Sequence, residues 1–169
     1  MANDKIKRKQ FATYLQAQGT EATYVLLGID LEELLVEMNA NVEKTTNILG
    51  TTSVTLDKYE KQSSVEPYKA VKGDELFTWL QSIVDEEKTL SEVETKVCHV
   101  KLWESETSGA YPATEEDVVI EVVSYGGDTT GYQIPFNIHY TGIRRQGTFN
   151  PNTKTFTEAS ASQVSKQNE

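Results

Sequence analysis

Residues 132–141 read YQIPFNIHYT, and this stretch decides the fold class. Tyr132, Ile134, Phe136, Ile138 and Tyr140 share one face, while Gln133, Pro135, Asn137, His139 and Thr141 share the other. A period of two with one apolar face marks a half-buried antiparallel strand. Pro135 has no N–H to give to a ladder, so it belongs at an edge or a bulge.

The neighbouring segments extend the pattern. Residues 117–125 (DVVIEVVSY) are strongly β-branched and read as a strand closed by the turn Gly126-Gly127-Asp128. Residues 142–149 and 153–157 read as a final hairpin around Asn150-Pro151-Asn152. In residues 94–104, Cys98, Val100 and Leu102 alternate with Val97, His99, Lys101 and Trp103, while 105–116 (SETSGAYPATEE) read as a polar loop. Residues 22–28 and 52–59 add strands, and 60–64 read as loop.

Residues 31–39 fit two templates. Leu31, Leu34, Leu35 and Met38 have helical spacing, whereas Leu34, Val36 and Met38 alternate with Glu33 and Glu37 as in a strand. The short turn after 22–28 favours a hairpin. One helix is clear over 74–87 (DELFTWLQSIVDEE), with Asp74 as N-cap and Leu76, Phe77, Leu80, Ile83 and Val84 on one face. Trp79 falls off the main apolar face; an exposed Trp can mark a contact surface, while partial burial is the commoner explanation.

The sum is a mainly β fold: an antiparallel β-sandwich or barrel with one flanking α-helix and long loops. At 169 residues the chain supports one domain. Its expected limits are 21–157, preceded by an arm, 1–20, that orders only against something else. A Ser/Gln/Lys-rich tail, 158–169, follows.

The net charge is −10, and it is concentrated. Residues 74–121 hold thirteen acids and three bases, a surplus equal to that of the whole chain. Nucleic-acid binding calls for a basic patch, so specific DNA binding is not expected. A solvated acidic surface accounts for the charge; the functional reading is an acidic wall that repels a passing polyanion. No apolar run is long enough to span a bilayer. The polar, basic N-terminus is not a secretory signal, which predicts synthesis in a cytoplasm.

Enzyme chemistry finds little footing. His99 and His139 lie in strand patterns on the faces opposite the apolar ones and read as exposed or interface residues. Cys98 falls on an apolar face and reads as core. Glu115-Glu116-Asp117 read as part of a solvated loop without calcium-loop spacing. Gly126-Gly127 is a hairpin turn, not a phosphate loop. Catalytic, metal and cofactor sites are therefore not expected.

The stretch 35–53, LVEMNANVEKTTNILGTTS, is the most suggestive for function. Its acidic strand-like start runs into a polar loop, 40–51, with an apolar tip at Ile48-Leu49-Gly50. Loops normally stay polar and solvated, so an apolar tip points to docking on another subunit.

Three groups of residues resemble the major tail protein (tail tube protein) of long, non-contractile-tailed bacteriophages. They are Val36–Glu43 with Thr46–Ser53, Val65-Glu66-Pro67, and the helix opening at Asp74-Glu75-Leu76. The β-rich second half closing at Gly147-Thr148-Phe149 is also similar, so the resemblance covers about residues 10–157. It implies a structural subunit of the virion tail, assembled as stacked hexameric rings that form a conduit for ejected DNA. Partners would be copies of itself and other tail proteins (tape measure, tail tip and terminator), with DNA only in transit and no membrane. Inter-ring or subunit contacts would fall on Asn39, Asn41, Asn47, Ile48, Leu49, Gly50 and Thr52. The channel lining would include Glu121, Gln133, Asn137 and His139. A phage-like bacteriocin or injection tube would use the same kind of subunit. A monomeric β-sandwich that binds a ligand is the alternative from another class.

Overall fold

The computed structural model describes residues 4–19 and 21–160. It is mainly β, 49% strand against 12% helix, with one α-helix and a curled antiparallel sheet that forms a half-barrel. The strands are β1 (Phe11–Ala17), β2 (Thr23–Leu27), β3 (Ala40–Thr46), β4 (Thr52–Tyr59), β5 (Gln62–Val65), β6 (Glu94–Lys101), β7 (Tyr111–Val122), β8 (Phe136–Asn150) and β9 (Thr155–Glu158). The helix is α1 (Glu75–Glu86). The main sheet runs β2-β1-β6-β7-β8-β5, with β9 also pairing β8, while β3 and β4 form a separate two-stranded ribbon.

The curl follows from which rings meet. In a flat sheet, β1 and β8 would stand three strand spacings apart, about 14 Å. Instead Tyr14 of β1 and Phe149 of β8 have ring centroids 4.5 Å apart, and Tyr24 of β2 meets Phe149 edge-on at 5.4 Å. These rings, with Ala12, Cys98, Val100 and Ala113, form a compact cluster inside the curl. The opposite face carries the larger core, in which α1 packs Leu76, Trp79, Leu80 and Ile83 over Leu15, Val97, Ile120, Phe136 and Ile138.

A bend in β8 makes the curl possible. Asp117 alone stands opposite Thr141–Ile143, because β7 pairs Glu116 with Arg144 and Val118 with Tyr140. Gly142 sits there at φ 93°, a conformation that suits glycine. Such bulges bend a strand and increase its twist. Before the bend β8 pairs with β5; after it, with β9.

Several expectations need correction. Residues 11–17 are not part of a free arm: β1 lies between β2 and β6, with Ala12, Thr13, Tyr14 and Leu15 all buried. The 105–116 loop gives way at Tyr111 to β7, and residues 62–64 of the expected 60–64 loop belong to β5. Residues 31–39 are neither helix nor regular hairpin, and Glu37 alone bridges to Gln62. Trp79 is 3% exposed, not off the packed face, because 76, 79, 80 and 83 are the true core stripe. Residues 161–169 of the expected tail, and 1–3 and Thr20 of the expected arm, lie outside the described residues.

The helix termini match the sequence. Asp74 accepts from the Leu76 N–H at 3.4 Å, and Tyr68 donates its hydroxyl to the other Asp74 oxygen at 2.8 Å. At the other end Glu87 takes the left-handed conformation, φ 48°.

Gly147 marks where β9 crowds β8, since a Cβ there would collide with the Thr157 carbonyl oxygen and the Phe156 ring. Gly147→Ala is expected to lower stability by about 1–3 kcal/mol, as overpacking does, measured by urea unfolding.

Candidate functional site

Every residue from Glu37 to Glu60 is exposed. The β3–β4 ribbon therefore projects from the body with both faces in solvent. At the usual rise per residue, the seven residues of β3 carry it about 20 Å outward. What reads as loop over 40–51 is thus mostly strand, with a tip confined to 47–51.

The ribbon is amphipathic. Val42 stands opposite Leu56 and Lys44 opposite Val54, so Val42, Val54 and Leu56 share a face with Lys44. Glu43, Thr45, Ser53 and Thr55 line the other face. The three apolar residues are about half exposed, at 48%, 61% and 47%. In sequence only Val54 and Leu56 alternate with polar neighbours, and Val42 stands alone among polar residues, so the shared face appears only with the register of the ribbon.

The tip is built to present two side chains. Asn47 opens the turn, and its Oδ1 accepts from the N–H groups of Leu49 and Thr51, each at 3.0 Å. Gly50 donates to the Asn47 carbonyl at 3.0 Å and holds φ 78°. Thr46 and Thr52 join their hydroxyls across the ribbon at 3.0 Å. With these polar groups bonded within the turn, Ile48 and Leu49 are left facing out, 103% and 84% exposed. Asn39 and Asn41 lie at the other end of the ribbon. There Asn39 donates its side-chain amide to the Glu60 carbonyl at 3.1 Å, and Asn41 pairs with Lys58. The seven expected contact residues therefore split between the tip and the strand end beside it (Asn47, Ile48, Leu49 and Gly50, with Thr52 opening β4) and the root (Asn39 and Asn41).

Three of the four expected lining residues come together. Glu121 on β7 accepts from the Asn137 amide at 3.1 Å and contacts His139 Nε2 at 2.7 Å, both on β8. The His139 contact, then the Asn137 bond, hold the Glu121 carboxyl below its ordinary range. Gln133 is elsewhere, bonding Asp128 and Thr130 in the 128–131 turn.

The other polar centre is buried and was misread in sequence. Glu115 and Glu116 are strand residues, 6% and 3% exposed, not loop acids. They point to opposite faces of β7. Glu116 contacts Lys61 and lies 3.2 Å from Arg144. Glu115 accepts from Tyr24 and, at 2.8 Å, from Arg145, which also grips Asp117. All three bases lie outside the acidic segment 74–121, so its surplus is partly cancelled in three dimensions.

His99 belongs to the same region and is 8% exposed, not a surface histidine. Its ring stacks on Phe11 with centroids 5.4 Å apart. Nδ1 is 3.1 Å from the Thr13 hydroxyl and Nε2 is 2.9 Å from that of Tyr140, which in turn lies 3.2 Å from Ser63. Burial, followed by the nearby cations Lys61, Arg144 and Arg8, lowers its pKa to about 4. Glu116 stands 3.9 Å from Nε2, but Lys61 and Arg144 already match its charge. Burial also keeps the Tyr140 hydroxyl protonated far above neutrality. The chain Thr13–His99–Tyr140–Ser63 thus fixes a neutral imidazole between hydroxyls and ties β1, β6, β8 and β5 together. Cys98 on the other face is buried, and burial pushes its thiol pKa up, which disfavours the reactive thiolate.

Among the described residues, no group of three or more His, Cys, Asp or Glu could hold a metal ion, and no helix is long and apolar enough to cross a membrane. The sequence matches no protein-family model and no curated protein.

The His99 environment sets a pH dependence. The unfolded chain takes up a proton near pH 6.5, the folded chain only near about 4, so stability is lost as pH falls through that window. The contribution expected from His99 is a loss of about 2 kcal/mol between about pH 7 and pH 5. His99→Gln should flatten that part of the profile in urea titrations at both pH values, whatever its effect on absolute stability.

Proposed function

We propose that this chain is a structural subunit that assembles with copies of itself into stacked rings. The rings would form a hollow tube of the kind that serves as the tail tube of long, non-contractile-tailed phages. The observation that carries this reading is the projecting β3–β4 ribbon. An isolated two-stranded hairpin is at best marginally stable in water. Here one stands out from the body with an apolar face and an apolar tip uncovered. A partner surface would remove both from water.

Two further features support the reading. Among the described residues the outer edge of β2 is unpaired, and ring closure is one way to satisfy an open sheet edge. The resemblance in sequence centres on the same residues, 36–43 and 46–53, that build the ribbon. In such a tube, Glu121, Asn137 and His139 are the residues we assign to the inner wall. Their mutual hydrogen bonds would give a hydrated lining with little grip on a nucleic acid.

Replacing both tip residues, Ile48→Asp with Leu49→Asp, is expected to abolish assembly while leaving the circular dichroism spectrum unchanged. A charge buried at a contact without a partner costs several kcal/mol, on the order of 3–5. Negative-stain microscopy of wild type across a concentration series should show rings or tubes, and the variant should sediment as a monomer. Normal tubes from the variant would refute the docking role.

A further inference from the structure

The self-assembly reading leaves open where the ribbon tip goes. We propose that the tip of one copy inserts into the apolar groove beside β2 of the next copy. This rests on the assembly reading above and names the receiving surface.

The groove has a volume of about 200 Å³ and runs between the outer edge of β2 and the start of α1. Leu26, Ile29 and Val71 flank it, 46%, 81% and 60% exposed, and Leu27, Leu31 and Leu76 form its apolar floor. These exposed aliphatics match the chemistry of Ile48 and Leu49. The ribbon end is suited to burial in another respect: residues 45–53 (TTNILGTTS) carry no charge. Its polar backbone groups are largely bonded within the turn.

Charge decides in favour of a second copy of this chain as the occupant. Lys44 lies on the apolar face of the ribbon and has no ion-pair partner among the described residues. The groove rim carries Asp30 and Asp74 against Lys69, a net negative balance. Lys69 already stands 3.9 Å from Asp30, and Asp74 caps α1, so the rim gains from one more cation. The tip is fully exposed in its own chain and so does not fill its own groove.

Knob and groove are different surfaces of one molecule, so the contact can repeat head-to-tail from copy to copy, as stacked rings require. A head-to-tail contact closes into a ring or propagates as a filament, depending on its rotation.

The test uses two double variants of the full chain. Ile29→Asp with Val71→Asp removes the groove; Ile48→Asp with Leu49→Asp removes the knob. All four positions are exposed, so folding should survive, as checked by circular dichroism. Each variant alone should sediment as a monomer where wild type assembles. An equimolar mixture should give dimers and nothing larger, since each pair retains one intact knob and one intact groove. In addition, Leu49→Cys on one copy and Ile29→Cys on another should form a disulfide-linked dimer under oxidation, with buried Cys98 not participating. A groove variant that assembles like wild type would overturn the groove assignment and leave the tube reading standing. Monomeric wild type at every concentration, with no dimer in the mixture and no cross-link, would overturn both.

Discussion

Two consecutive carboxylates in a central strand set the terms for this fold. Glu115 and Glu116 are buried on opposite faces of β7, and a buried carboxylate without a partner costs several kcal/mol. Each must be met by a cation from another strand, and each is. Arg145 comes to one face and Arg144 to the other, consecutive residues of β8 that alternate as the acids do. This works only if β8 lies in register with β7 at that level. The bend at Thr141–Ile143 lies immediately beyond the pairs, where the register shifts by two residues on one strand. The ion pairs therefore hold the sheet on one side of the bulge while the hydrophobic core holds it on the other. Lys61, at the mouth of β5, adds a third strand to the same centre.

The neutral imidazole of His99 belongs to the same arrangement. It is buried beside Lys61 and Arg144, both committed to Glu116, and near Arg8, so it has every reason to stay unprotonated at neutral pH. Its two nitrogens then take different roles toward Thr13 and Tyr140, which fixes the ring and the side chains around it. A network in which each buried polar group has a partner specifies one packing more sharply than an apolar patch would. No buried side-chain polar atom among the described residues lacks a hydrogen bond. The body of the protein is thus fully determined from within.

The ribbon is the contrary case, and the difference shows what the sequence can transmit. The helix with its Asp74 cap, the apolar tip, and residues 136–141 of the strand read at 132–141 were legible because each declares itself through local periodicity or local turn chemistry; residues 132–135 lie outside β8, which instead continues through Gly142 to Asn150. Strand β1 was not, because Phe11–Ala17 mixes small, polar and large residues that are buried on both faces, which destroys a period of two. Strand β6 was legible at 94–104, but its burial on both faces was not, because His99 breaks the otherwise apolar run Val97–Val100. Glu115 and Glu116 were read as solvated for a plain reason: the bases that match them are about 30 and 55 residues away in the chain. Of the candidate surfaces, the tip was legible residue by residue. The ribbon's apolar face, and the separation of Gln133 from Glu121, depend on register and turn geometry.

The charge of the molecule changes meaning once these pairs are placed. An acidic segment at 74–121 suggests a uniformly repulsive surface, yet its buried acids are matched by bases from 61 and 144–145. What remains in solvent at the end of α1 and the turn after it, Asp85, Glu86, Glu87, Glu92 and Glu94, is a local acidic patch. Glu121 is different again, an exposed carboxylate shared with an imidazole and an amide. If that face lines a conduit, its useful property is not strong repulsion. A dense ring of unpaired acids would oppose entry of a polyanion as well as adhesion, whereas mutually hydrogen-bonded polar groups bind water and offer few cations to phosphate. Low adhesion, and not high charge, is what a passage requires.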